Sequence, residues 1–400
     1  MKKVFLEVTR HPCTENAMNS NLLKRWFTAN GWEVTRKDSE ADILIISTCG
    51  FNQSQEDFEI ELIREKKSRV KPGAELIVVG CLPDINKERL RQEFDGVCIS
   101  TKEIEAFNEH MNFSTRIEDL DNNFISAEEY ENNPHIAFWV KARMAYEKWH
   151  EKISFVKVPK VLYTTPSPSW FCIRTGSGCT GNCTYCGIRH AQGFLKSIPI
   201  DTIVRQAEKG LTMGFKEIAL TGEDCGGFGV DKKEDLALLL NELIKLKGDY
   251  EINVRFIDPY WLIKLFDKLL PAFNSGKIKS FCAPAQSGSD RILKAMNRRY
   301  TFNQIKQGVN DTIRHTKVKM ISTNIIVGFP GETEQDFRDT IRLVREVDFS
   351  LYLNFPYDER PQTPAAELPN KVSDELKQRR MTKLERMCTR KHAQHFLGFA

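Results

Sequence analysis

Cys179, Cys183 and Cys186 lie within one short stretch, SGCTGNCTYCGIRHAQG at residues 177–193. Thiolates are soft ligands for iron or zinc, and a C-x3-C-x2-C spacing lets one loop present three of them to one inorganic centre. Four thiolates would complete a zinc site or saturate an iron–sulfur cluster. Three thiolates on a 4Fe–4S cluster leave one iron free to bind something else. A zinc site borrowing a distant fourth ligand is the competing reading, although zinc loops usually use C-x2-C pairs.

Three more cysteines share a different kind of regularity. Cys13 follows KVFLEV (3–8), Cys49 ends ADILIISTC, and Cys81 ends AELIVVGC. Helical patterns separate these apolar runs, NAMNSNLLKRWFTANG after the first and a charged run over about 54–69 after the second. Such alternation implies crossover connections and a parallel sheet, and continuously apolar ILII and LIVV suit strands covered on both faces. All three cysteines are therefore expected at the carboxyl edge of one sheet, where they can converge. Each alone could be a buried core thiol; three at equivalent strand ends favour a second three-thiolate site. Cys98 and Cys388, by contrast, read as small apolar residues or incidental surface thiols.

The elements that must position these groups define the fold class, α/β. Residues 1–100 are expected to form a flavodoxin-like parallel α/β domain. Residues 101–165, rich in Asn and acidic residues and then aromatic and basic, read as a linker. Alternation restarts at WFCIR (170–174), with further strands at KEIALTG, INVRF, IKSFCAP, VKMISTNIIVG and LYLNF. Six strand–helix units fit a partial (βα)6 TIM-type barrel over 166–368, followed by a C-terminal helix at 369–400. In such folds binding groups gather beyond the carboxyl ends of strands, which is where Cys179, Cys183 and Cys186 fall.

Composition excludes several classes. The 400 residues carry 58 Lys plus Arg against 54 Asp plus Glu, a net charge of +4 that does not by itself mark a nucleic-acid binder. No apolar run approaches the roughly 20 residues of a membrane span. MKKVFLEVTRHP is interrupted by Glu7 and Arg10 and does not read as a secretion signal. Eleven cysteines without such a signal point to metal binding or catalysis and to a cytoplasmic location, with no membrane partner.

The CTGNCTYC segment resembles the signature of radical S-adenosylmethionine (SAM) enzymes. With CTENAMNS, STCGFNQS, VVGCLP, LTGEDCGGFG, APAQSGSDRILKAMNRRYT, IIVGFPGETEQDF and RPQTPAAELP, the chain resembles the methylthiotransferases over about 1–100 and 166–390. HAQG and TGEDCGGFG are most similar to the branch acting on threonylcarbamoyladenosine in tRNA, whereas STCGF is similar to the branch acting on a ribosomal-protein aspartate. The resemblance implies two 4Fe–4S clusters, one held by Cys179, Cys183 and Cys186 and an auxiliary one by Cys13, Cys49 and Cys81. It also implies that one SAM methylates sulfur carried at the auxiliary cluster. A second SAM, reductively cleaved, yields the 5'-deoxyadenosyl radical that activates a substrate carbon. Partners would include an electron donor such as flavodoxin or ferredoxin and a sulfur donor.

By the same resemblance, the backbone at Tyr185 and the loop at Gly328 should meet the adenosine. Gly222 and Glu223 should face the methionine moiety, and Gln286 and Ser287 should line the SAM pocket. Arg255 and Arg298 are candidates for the SAM carboxylate or a substrate anion, with surface salt bridges as the plainer alternative. The chain departs from the family at Gln192, where relatives carry Arg, at Cys282 for His, and at Gln362 for Gly, with Asp358 and Glu359 ahead of it, so that an acidic rim, less basic than suits an anionic RNA, is expected at the active site. The C-terminal β-barrel called TRAM, found in tRNA-acting relatives, is expected to be lacking. The expected reaction is methylthiolation at C2 of N6-threonylcarbamoyladenosine in tRNA. Alternatives are the same chemistry on a protein or peptide side chain, or a noncatalytic Fe–S scaffold.

Overall fold

A computed structural model describes residues 1–8, 13–120, 124–125 and 170–396. Five strands of the first domain, β1 (Lys3–Val8), β2 (Glu33–Val34), β3 (Ile43–Thr48), β4 (Glu75–Gly80) and β5 (Val97–Ser100), run parallel in the order β2-β1-β3-β4-β5. This is the flavodoxin-type order. ILIIST of β3 is buried at every position, as its uninterrupted apolar run requires of a central strand.

The helix Thr14–Ala29 is unusual for its sequence. TENAMNSN is largely polar, yet residues 14–21 are all buried. A helix polar on all sides and buried on all sides is one that bridges two bodies. Its Ala17 and Met18 pack against Cys172 and Ala219 of the second domain.

The first domain runs on past the boundary expected at 100. Phe107 and Ile117 enter its core, and Phe113 packs on Trp26 with ring centroids 4.7 Å apart. Residues 101–120 of the expected linker are thus folded onto the first domain, because its few large apolar residues find the Trp26–Phe27 cluster. Residues 126–165 of that linker lie outside the described residues.

The second sheet holds β6 (Phe124–Ile125), β7 (Trp170–Arg174), β10 (Glu217–Thr221), β11 (Glu251–Val254), β12 (Ile278–Cys282), β13 (Met320–Val327) and β14 (Leu351–Pro356). Its order is β14-β13-β12-β11-β10-β7-β6, six parallel strands with β6 antiparallel at one edge. A ribbon of β8 (Gly176–Ser177) and β9 (Lys196–Ser197) stands beyond β7. This is the expected partial (βα)6 barrel. Both sheet edges are covered, one by β6 and the other by the helix Asp374–Phe396 lying on β13 and β14. Among the described residues no helix is long and apolar enough to cross a membrane.

Candidate active site

The β8–β9 ribbon closes the loop that carries Cys179, Cys183 and Cys186. Gly178 sits at φ +81°, and a Cβ there would stand 2.4 Å from the Phe194 carbonyl, so only glycine fits. Cys179 N–H donates to the Gly193 carbonyl at 3.2 Å. Asp224, from the loop after β10, accepts from Thr180 N–H at 3.1 Å and from its hydroxyl, while its other oxygen accepts from Gly227 N–H at 3.0 Å. Thr184 N–H and hydroxyl donate to Met296 and Ala295 carbonyls, and Ala365 N–H donates to the Thr184 carbonyl at 2.8 Å. The loop is therefore fixed from three sides before any ligand arrives.

Between the sulfurs the chain leaves room. A Cβ on Gly181 would stand 3.2 Å from Cys179 Sγ and 3.6 Å from Cys183 Sγ. Burial pushes the Cys186 thiol up to about 12 and Cys179 higher still, with the neighbouring thiols adding to both shifts. Three soft donors that repel one another's charge suit a cationic inorganic core and would release protons on loading it. Arg298 reaches this group, its Nη1 donating to Cys183 Sγ at 3.0 Å. An ion pair with Asp258 and a 3.0 Å bond from Nη2 to the Pro284 carbonyl hold it there. Its charge is thus engaged at the thiol loop. Among the described residues no three His, Cys, Asp or Glu side chains converge as they would around a single ion.

The first-domain thiols sit as their strand ends dictate. Cys13 caps the helix Thr14–Ala29, accepting from Asn16 N–H at 3.4 Å. Cys49 follows β3, and Cys81 follows β4. Gly80, at φ +113°, passes so close to β3 that a Cβ would lie 2.2 Å from the Thr48 carbonyl, which also accepts Cys81 N–H at 3.1 Å. Burial raises all three thiols well above the ordinary range, Cys49 to about 12; charge on Cys49 adds to the rise at Cys13 and at Cys81.

Each of these thiols is fastened to the barrel by the residues that follow it. After Cys13, Thr14 accepts from Arg255 Nη1 at 2.8 Å, and Glu15 and Asn19 bind Arg174 at 2.7 and 2.8 Å. After Cys49, Phe51 packs edge-on to Phe355 at 5.8 Å, Gln53 N–H donates to Asp358 at 3.2 Å, and buried Glu56 pairs with buried Arg360. After Cys81, Ile85 fills the space between Gly50 and Gly187, packing with Cys81 and Ala191. Lys102 then ties Asp84 and the His190 carbonyl together, both at 3.0 Å.

Glu223 lies within electrostatic reach of both thiol groups. Its carboxylate acts electrostatically on Cys13, Cys49 and Cys81 and on Cys186 of the other loop. Burial, then the charge of Glu15, pushes it up to about 7, against Arg255, Arg174 and a 3.4 Å bond from Gln192 Nε2. Arg255 therefore belongs to this mouth, bonded across the domain boundary. Gly222, just before Glu223, lies near the Thr175 hydroxyl. Gln286 is held at φ +66° with its backbone bridged to β13, while the Ser287 hydroxyl is turned inward to Thr340 and accepts Ser289 N–H. The Ser287 hydroxyl thus fastens its turn. Tyr185 packs against the apolar group of Phe329, Met296 and Tyr357. Gly328, at φ +80°, leaves space taken by Lys377, and its N–H donates to Glu332, which Arg380 pairs. The acids Asp358 and Glu359 do not form a free acidic rim: they engage Gln53 and Lys371.

Asp224, Asp258, Arg174, Glu15, Ile85 and the Glu56–Arg360 pair were not singled out from sequence for these contacts. Asp224 alone carried a signal, a carboxylate opening a glycine turn. The others matter through partners far away in the chain.

Two family models match. Residues 173–344 match the radical SAM superfamily, and residues 6–100 match the "uncharacterized protein family UPF0004". A protein of Methanocaldococcus jannaschii named "Probable threonylcarbamoyladenosine tRNA methylthiotransferase" is 31% identical over 386 residues, 96% of this chain and 82% of the relative. The chain is a radical SAM methylthiotransferase. The "ribosomal protein uS12 methylthiotransferase RimO" of Clostridioides difficile is 30% identical over 390 residues, 96% of this methylthiotransferase and 81% of that protein. Among solved structures, the radical SAM methyltransferase TsrM of Kitasatospora setae shares the fold, with a TM-score of 0.60 at 12% identity over 92% of this chain and 77% of that one. A radical SAM methylthiotransferase uses a 4Fe–4S cluster and SAM, and the loop of three thiols suits that group.

Proposed function

We propose that this methylthiotransferase inserts a methylthio group at C2 of N6-threonylcarbamoyladenosine in tRNA. What supports the reading is that the charge of Glu223 is felt by Cys13, Cys49 and Cys81 and by Cys186 of the other loop, while Ile85 packs against both Gly50 and Gly187 where the two loops meet. Cys179, Cys183 and Cys186 hold the 4Fe–4S cluster that binds SAM, and Cys13, Cys49 and Cys81 hold a second one. Loaded in this way, the site supplies a 5'-deoxyadenosyl radical and a sulfur atom for transfer.

The chain's own residues do the rest. Asp224, Thr184 and Arg298 keep the SAM-side loop rigid, so little reorganises when SAM arrives. Gly222 and Glu223 face the methionine moiety, and a carboxylate with a pKa of about 7 can accept a hydrogen bond from the SAM ammonium at Oε1 or hold a proton there. Arg255, beside Thr14 and Glu223, is placed for the SAM carboxylate or a substrate anion. Ile85 and Ala191, packed beside Cys81, make an apolar wall that keeps water from the space between the loops. An electron donor and a sulfur source complete the requirements.

Support for tRNA comes from relatives: five curated proteins at 28–31% identity are named for threonylcarbamoyladenosine tRNA. The second reading, methylthiolation of a protein side chain, is favoured by the RimO relative at 30%. Mass spectrometry of tRNA nucleosides and of ribosomal proteins, from cells with and without the gene, separates the two. A 2-methylthio adenosine derivative that disappears with the gene supports the first reading, and a lost methylthio mass on a protein supports the second.

A further inference from the structure

We infer that the segment Asp358–Ala365 is a spacer that sets the two thiol triads opposite each other, with Arg360 and Glu56 as its positioning pair. This rests on the reading of Cys13, Cys49 and Cys81 as a second cluster site. One short segment touches both loops. At its start Asp358 accepts from Gln53 N–H at 3.2 Å and Arg360 pairs with Glu56, both on the chain that follows Cys49. Near its end Ala365 N–H donates to the carbonyl of Thr184, between Cys183 and Cys186.

The segment is built to hold its length. Thr363 bonds back to the Arg360 carbonyl through its hydroxyl at 2.8 Å, and Gln362 holds a left-handed φ of +60°. This is the position where relatives are expected to have Gly, so the chain tolerates a side chain in a conformation that disfavours one. The charges are held as firmly. The side chains of Arg360 and Glu56 are 4% and 0% exposed, and they lie 304 residues apart in sequence. A buried ion pair is weak evidence for stability but strongly restricts geometry, because Arg360 without Glu56 would be a buried guanidinium with Asp358 at 3.8 Å as its remaining carboxylate. Arg360 also places a positive charge near the Cys49 thiol, opposing the effect of Glu59 and Glu223 there.

Arg360→Met tests the pair without orphaning Glu56, which keeps Arg89 at 2.7 Å and Asn86 at 2.8 Å. Full-length protein is reconstituted with iron and sulfide anaerobically. Iron content, the magnetic interaction between the two reduced clusters by electron paramagnetic resonance, and amide exchange at Gln53 are then measured. Arg360→Met and Glu56→Gln should keep wild-type iron while the interaction weakens and Gln53 exchanges about tenfold faster. Arg360→Lys should recover part of both. Full iron with unchanged magnetic interaction overturns the proposal, and so does loss of iron in both variants, which would make the pair merely structural. Wild-type protein with only about four irons would instead remove the second-cluster reading. Exchange at Gln53 would then decide alone whether Arg360 holds the domains together.

Discussion

Cys179, Cys183 and Cys186 come from one loop, whereas Cys13, Cys49 and Cys81 come from the ends of three strands and reach one another only through the order β1-β3-β4 within the first sheet. The first triad is local and is fixed by a ribbon, a glycine and Asp224. The second is topological, and exists only where the first domain's sheet is formed. On the proposed reading, in which each triad holds a cluster, the two can thus fail in different ways. The local triad should survive perturbation elsewhere; the topological one should register every change in the sheet or the domain contact.

The largest effect separates their chemistry. Replacing Cys179, Cys183 and Cys186 with Ala should abolish 5'-deoxyadenosine formation and remove about four of about eight irons. Replacing Cys13, Cys49 and Cys81 should remove a similar amount of iron, leave SAM cleavage within about threefold of wild type, and stop methylthio transfer. Unchanged product yield in the second variant would show that the topological triad is not a cluster site. Iron assay and product chromatography check both.

A single atom tests the local–topological distinction more finely. Gly80→Ala places a methyl group 2.2 Å from the Thr48 carbonyl, between the strands that carry Cys49 and Cys81, at a φ of +113°. It should cost about 2–4 kcal/mol of first-domain stability and lower iron at the topological site, while the SAM-side cluster spectrum persists. Gly178→Ala, with its clash at Phe194, should do the reverse. Loss of the same cluster from both variants would sink the distinction.

What was legible in sequence follows the same division. The C-x3-C-x2-C loop and the strand ends of Cys13, Cys49 and Cys81 could be read because spacing and strand periodicity are local signals, and the strand alternation led to both sheets. The folding of 101–120 onto the first domain was not visible, since Phe107, Phe113 and Ile117 are scattered in a polar stretch and acquire meaning only beside Trp26. Arg174, Glu15, Glu56 and Arg360 were hidden for a related reason: their partners lie across the domain boundary. Asp358 and Glu359 looked like an acidic rim because a sequence shows charge and not the amide or lysine that receives it.

The smallest effect concerns the residue within electrostatic reach of both triads. Glu223 is raised to about 7 from 4.5, chiefly by burial. Between those values the folded chain holds a proton that the unfolded chain has released, so stability should fall as pH rises from about 4.5 to 7. The shift corresponds to at most about 3–4 kcal/mol, and the part of Glu223 that stays open to the mouth reduces it. Denaturant midpoints measured across this range should decline in the wild type and flatten in Glu223→Gln. Gln192→Arg sharpens the point. A guanidinium in place of the Gln192 amide, 3.4 Å from Glu223 Oε1, would favour the ionised carboxylate and lower its pKa toward the ordinary range. The pH slope should shrink in that variant too, through pairing instead of neutralisation. If Gln192→Arg left the slope intact, the contact between the HAQG turn and Glu223 would not form in solution, and the SAM-side loop would sit farther from the first domain's thiols than their shared carboxylate requires.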